Sequence, residues 1–184
     1  MNTLYILLGV LGVVVLWLVF TFNSLVRYRN RAKEALSDID VQLKRRFDLI
    51  PNLIETVKGY MQHEKSVLEN VTKARTAVMS MGGSPLDRDQ AETQLSNTLK
   101  TLFAVSENYP DLKANANFLD LQRELADTEN KIQASRRFYN TMVMSLNTAV
   151  QSFPTNLIAK PFGFSEEKFF EAETSEKAPV KVKF

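Results

Sequence analysis

The apolar positions fall into two regimes, one continuous and one periodic. Residues 1–22 carry no charged side chain, and only the polar groups of Tyr5 and Thr21 interrupt the run Leu4–Phe22. At about 1.5 Å per residue a helix over that run reaches roughly 28 Å, close to the hydrocarbon thickness of a bilayer. The run predicts one membrane-crossing helix. Arg27, Arg29, Arg31 and Lys33 follow it within seven positions, and cations beside a span are retained on the cytoplasmic side. The expected topology is therefore N-terminus out, with the rest of the chain in the cytoplasm and the four cations beside anionic head groups. A secretory signal would need a basic residue before the run and a small-residue cleavage site after it. Met1-Asn2-Thr3 has no base and Phe20-Thr21-Phe22-Asn23 is bulky, so an uncleaved anchor is expected.

Beyond the flank the pattern becomes periodic. Leu36, Ile39, Leu43, Phe47, Ile50, Ile54, Val57, Met61 and Leu68 form one stripe at helical spacing. The stripe passes Pro51 in phase, although proline removes a backbone donor. The spacing predicts one helix over about Leu25 to Met81, of about 85 Å if unbroken, with a kink or break near Ile50. Gly82-Gly83 ends it, and Ser84-Pro85-Leu86-Asp87 opens a second helix running to about Glu107. Asn108-Tyr109-Pro110-Asp111 reads as a turn. Phe118, Leu121, Leu125, Ile132, Tyr139, Met142, Leu146, Ala149 and Phe153 then mark a third helix that stops at Phe153-Pro154. No stretch alternates as a strand would. The expected fold is all-α, a transmembrane helix followed by an antiparallel bundle with very long helices. A short amphipathic piece is expected near Ser165 to Ala172, and Glu173 to Phe184 lacks an apolar period. The expected divisions are an anchor over 1–24, a bundle over 25–160 and an aromatic segment with a flexible C-terminal tail over 161–184.

Composition narrows the function classes. A chain of 184 residues with a net charge of +2 leaves room for one soluble domain beside the anchor. Acids and bases alternate through the soluble part, and the dense basic cluster abuts the membrane, so nucleic acid is not an expected partner. The absence of cysteine removes disulfides, thiol catalysis and cysteine-ligated zinc. The single histidine, His63, is read as a solvated helix-face residue. Tyr60 stands where a Glu-x-x-His motif needs its acid, and Val67 where His-Glu-x-x-His needs its second histidine. A phosphorelay histidine would have lysine three positions on, and here Ser66 stands there. Gly82-Gly83-Ser84 lacks a phosphate loop's lysine and spacing. Asp38/Asp40 and Glu124/Asp127 read as surface charge. No catalytic residue, metal ligand, cofactor or small-molecule substrate is expected, and the protein is not expected to be an enzyme.

Two polar groups remain to be explained. Asn52, Asn130, Asn140 and Asn147 sit in long helices despite poor helix propensity, which suits either buried register-setting hydrogen bonds or an exposed rim. The pairs Arg45-Arg46 and Arg136-Arg137 stand out with them. Near the C-terminus, Phe162, Phe164, Phe169 and Phe170 lie beyond the last helix, with Phe184 at the end. They either fold back as a lid or dock on a second subunit, the bilayer or a partner.

Three segments carry a family resemblance. DIDVQLKRRFDLIPNLIETVKGY (38–60), YPDLKANANFLDLQRELADTENKIQASRRFYN (109–140) and FPTNLIAKPFGF (153–164) closely resemble the LemA family. One departure is Leu146 before Asn147, where the family's repeated Tyr-Asn pair would place a tyrosine. The resemblance implies a single-pass protein of the bacterial cytoplasmic membrane, with a very short external end and a cytoplasmic four-helix bundle. Its fourth helix would come from a division at Pro51 or from the segment after Pro154. It implies no enzymatic activity, and a context of envelope processes that includes internal-membrane formation in magnetic bacteria and association with a membrane metalloprotease. The expected function is a non-enzymatic anchored scaffold that self-associates as a homo-oligomer and organises or shapes the membrane. The alternatives are an adaptor for a membrane protease or signalling partner, and a phosphorelay or small enzyme through His63.

Overall fold

In the computed structural model the described residues are 2–171. They are helical throughout their regular structure: α1 Asn2–Lys58, α2 Lys65–Ser80, α3 Asp89–Ser106, the single turn α4 Pro110–Lys113, α5 Ala116–Gln151 and the single turn α6 Asn156–Ala159. By packing they divide into two compact units. One holds residues 2–35 and 136–169, the other 36–135 with the stretch from Phe170.

The second unit is an up-and-down four-helix arrangement of the end of α1, α2, α3 and the start of α5. Its core contains Ile50, Leu53, Val57 and Met61 from the first of these segments and its following turn. Val71 and Val78 of α2, Leu95 and Leu102 of α3, and Phe118 and Leu125 of α5 complete it. The stripe read from the sequence is thus the buried face.

The first helix does not divide at Pro51. It runs on to Lys58, because the carbonyl that proline leaves without a helical partner, that of Phe47 four residues earlier, accepts a hydrogen bond from Arg75 Nε at 3.2 Å. The break lies instead at residues 59–64, after Gly59, a residue that disfavours helix. The fourth long helix therefore arises at this turn, and neither at Pro51 nor after Pro154. The stripe concealed the break because Met61 N–H still donates to Val57 O at 2.9 Å, holding Met61 in the helical phase and fully buried. Tyr60 Oη accepts from Asn115 Nδ2 at 3.0 Å and Tyr109 Oη donates to Glu64 at 3.3 Å, tying the turn to the α3–α5 end of the unit.

Other boundaries also move. The second predicted helix begins at Asp89, not Ser84, because the Ser84 amide and hydroxyl both donate to Asp87 Oδ2 at 2.9 Å and close a turn. Gly83 lies there at φ +99°, and a Cβ would come within 2.8 Å of Asp87 Oδ2, so only glycine fits. Pro110 opens α4 within the predicted turn. Asn115 then caps α5 by accepting from Phe118 N–H at 3.0 Å. The segment predicted as an amphipathic helix near Ser165 is irregular over its described residues.

One buried charge ties three helices of this unit. Arg46 of α1 is 2 % exposed and Glu92 of α3 is 1 % exposed, and the two form an ion pair. Arg46 Nη1 also donates to Ser96 Oγ and to Glu129 Oε2 of α5, each at 2.8 Å. Glu92 and Ser96 are four residues apart and share one face of α3. Outside this cluster, Arg45 pairs with Glu124 and Arg88 with Asp40 at 2.5 Å, in settings where exposed pairs contribute at most about 1 kcal/mol.

Replacing Arg46 with Ala strands a buried carboxylate and is expected to cost about 3–5 kcal/mol. Urea titration of the detergent-solubilised chain by circular dichroism measures this, and a loss below 1 kcal/mol would remove the network's importance. Arg75→Met is expected to cost about 1–2 kcal/mol in the wild-type background and much less with Pro51→Ala, which restores the helical donor to Phe47. Equal costs in both backgrounds would show that Arg75 does not substitute for the missing amide.

Candidate functional site

The apolar run occupies the start of α1. Among the described residues α1 is the one helix long and apolar enough to cross a membrane, and its apolar window is unburied by the rest of the chain. Leu4, Ile6, Leu7, Leu8, Val10 and Leu11 all face outward. Of the basic flank, Arg27, Arg31 and Lys33 are exposed, while Arg29 is half-buried. Its guanidinium lies 4.7 Å from the centre of the Phe164 ring, a cation–π contact.

That contact belongs to an aromatic clasp between α1 and the segment after α5. Phe22 meets Phe162 and Phe164 edge-on, at centroid distances of 5.3 and 5.7 Å. Phe164 packs with Leu25, Leu146, Val150 and Ala159 in the core of this unit. Phe162, Phe164, Phe169 and Phe170 are therefore not one lid. Phe164 and Phe170 are buried, Phe162 and Phe169 are exposed, and Phe184 lies outside the described residues.

Two side chains of α5 hold the backbone of the segment. Asn147, read as a register-setting residue, is buried. Its Nδ2 donates to Glu167 O and its Oδ1 accepts from Glu167 N–H, both at 2.9 Å. At neutral pH an amide is the one side chain with a donor and an acceptor so spaced. Leu146, the departure from the Tyr-Asn pattern, is buried apolar packing. Tyr139 Oη donates to Lys168 O at 2.9 Å, and burial, helped by the Glu167 charge, pushes its phenol above the usual tyrosine range, so it stays a neutral donor. Asn52 and Asn130 are solvent-exposed; water competes for their hydrogen bonds, so neither sets register within this chain. Asn140 is half-buried and has a polar partner.

His63 lies exposed in the turn between α1 and α2 rather than on a helix face. It borders an open groove of about 1030 Å³ that includes Ile54, Met61, Leu68, Lys58, Lys65 and Glu69. Among the described residues no cluster of three or more histidine or carboxylate groups could hold a metal. Sequence reasoning singled out Arg46 but missed Glu92, Ser96 and Glu129. Glu92 and Ser96 at i,i+4 on an amphipathic helix carried no signal without knowledge of the facing residue.

Asn147→Asp tests the clasp through its pH dependence. A carboxylate still accepts from Glu167 N–H but repels Glu167 O, whereas a carboxylic acid restores the donor, so folding raises the new group's pKa. The variant's stability is then fully present below the unfolded aspartate pKa of about 3.9 and falls as pH rises through the folded value. Above that value it is expected to be about 1–3 kcal/mol less stable than wild type. Thermal melts across pH 3–8 (roughly the aspartate range) read this, and a constant difference from wild type would refute the donor role.

A family model described as the LemA family matches residues 35–184. Protein LemA of Metamycoplasma hominis is 27% identical over 158 residues, covering 86% of this chain and 72% of that protein. Magnetosome protein MamQ 2 of Paramagnetospirillum magneticum is 22% identical over 188 residues, covering 89% of this chain and 69% of that protein. Magnetosome protein MamQ of Magnetospirillum gryphiswaldense is 21% identical over the same shares. The matched region takes in Arg46 and its partners, the three hydrogen bonds that hold the aromatic segment and all three segments that carry the resemblance, and the chain belongs to the LemA family.

Proposed function

We propose that the protein is a non-enzymatic scaffold of the bacterial cytoplasmic membrane, anchored with its N-terminus outside, that self-associates and organises or shapes that membrane. The observation that carries this reading is the continuity of α1. One helix of 57 residues supplies first the apolar run and then, at Leu25, Ala32 and Ala35, buried positions in the core of the same unit. No flexible linker separates anchor from core, as suits a part that transmits position to the bilayer better than one that fishes for partners on a tether. The relatives named as magnetosome proteins support a role at internal membranes, and the flank of Arg27, Arg29, Arg31 and Lys33 supports the orientation.

An adaptor for a membrane protease or signalling partner is the second reading. The groove beside His63, apolar at Ile54 and Leu68 and rimmed by Lys58, Lys65 and Glu69, favours it as a place for a peptide segment.

Native mass spectrometry of the chain released from nanodiscs separates the two. The scaffold is expected as a homo-oligomer of closed symmetry across a wide concentration range, and monomer throughout would overturn it. A cysteine at Thr3 is expected to label from outside intact cells and one at Asn130 only after lysis. The reverse pattern would invert the topology.

A further inference from the structure

The segment from Phe153 to Phe164 lies against the lower end of the apolar run. Ile158 and Phe162 line one side of a small apolar groove of about 270 Å³, and Leu18, Val19, Phe22 and Asn23 of α1 line the other. Leu18 and Val19 are within the stretch that the anchor reading puts in hydrocarbon. A group packed beside them is at the same depth.

The segment also leaves large apolar side chains bare. Phe153 is 79 % exposed, Leu157 64 % and Phe162 60 %, while Lys160, also exposed, has the long apolar stem that lets a cation reach head groups from such a position. Three large apolar side chains bared within ten residues of chain are unusual on a surface that faces water alone.

The backbone of the segment is also suited to leaving water. The amides of residues 156–159 and 162–164 donate to carbonyls of residues 152–160, and prolines at 154 and 161 have no amide to satisfy. In hydrocarbon each unsatisfied backbone group would cost several kcal/mol. At the end of the segment the Arg29 guanidinium caps Phe164, and Arg27 and Arg31 are exposed, placing cations where apolar side chains give way.

We propose that residues 153–162 form a second membrane contact, an interfacial element that inserts Phe153, Leu157 and Phe162 into the lipid of the cytoplasmic leaflet beside the anchor. Its occupant is the bilayer, whose hydrocarbon is continuous with the surface that Leu18, Val19 and Phe22 already present. The element would fix the anchor's depth and rotation, because α1 could neither slide nor turn without lifting the clasp from the membrane. The proposal rests on the anchor reading.

The chain has no cysteine, so single sites can be labelled in the full-length protein. Spin labels at Leu157→Cys, Phe153→Cys, Val10→Cys and Asn130→Cys, in nanodiscs of phosphatidylcholine and phosphatidylglycerol, report depth through relaxation by oxygen against an aqueous nickel chelate. Oxygen is expected to dominate at Leu157 and Phe153 as it does at Val10, with nickel dominating at Asn130. Leu157 makes none of the ring contacts of the clasp, so its replacement leaves the packing intact. Nickel dominance at Leu157 and Phe153 while Val10 remains lipid-exposed would overturn the interfacial element and leave the anchor standing. Nickel dominance at Val10 and Leu157 together would overturn both.

Discussion

A single guanidinium buried among helices is the constraint on which the packing of residues 36–135 depends. Taking an ion out of water costs several kcal/mol, and only well-placed opposite charges and hydrogen bonds offset it. Arg46 finds them on two other helices at once, in Glu92 and Ser96 of α3 and Glu129 of α5. The apolar stripe could slip by one turn and still bury leucine, isoleucine and valine against leucine, isoleucine and valine. The charge could not, since a slipped helix would leave Arg46 and Glu92 buried and apart. Specificity of register, a role the sequence left open for the asparagines against an exposed rim, resides in this unit in an arginine with two acids and a serine.

The same principle, that a buried polar group dictates its surroundings, recurs at two backbone sites. Pro51 deprives Phe47 O of its helical donor, and Arg75 supplies another, so the helix continues where an isolated chain would weaken. Asn147 gives the extended stretch at Glu167 both the donor and the acceptor it lacks as a segment outside any sheet. Irregular backbone can lie against α5 only because that side chain, with Tyr139 eight residues earlier, stands in for a neighbouring strand. In both cases one long or bifunctional side chain keeps an unusual backbone in place, and in both the partner is distant in sequence.

The second of these devices shapes the end of the apolar run. The clasp that Asn147 and Tyr139 hold down carries Phe162 and Phe164 to Phe22, at the end of the apolar run. The apolar and cationic residues there belong to separate parts of the chain, brought to one level by packing on α1 and α5.

The sequence by itself determined that this protein is helical, which face its long helices bury and which stretch suits a bilayer, because those follow from composition and a local period. It made Leu4–Phe22 legible as a span, 36–57 as a buried stripe, and Arg46 as a residue needing explanation. The tertiary structure decided where the first helix breaks, since a turn at Gly59 keeps Met61 in phase while a distant arginine rescues Pro51. It also decided which asparagine matters, separating Asn147 from Asn52 and Asn130 by burial alone, and split the aromatic cluster into buried Phe164 and Phe170 and exposed Phe162 and Phe169. A hydrogen bond or ion pair between residues 20 to 83 positions apart leaves no mark on local periodicity. Such a pair becomes visible only when folding brings the two ends together.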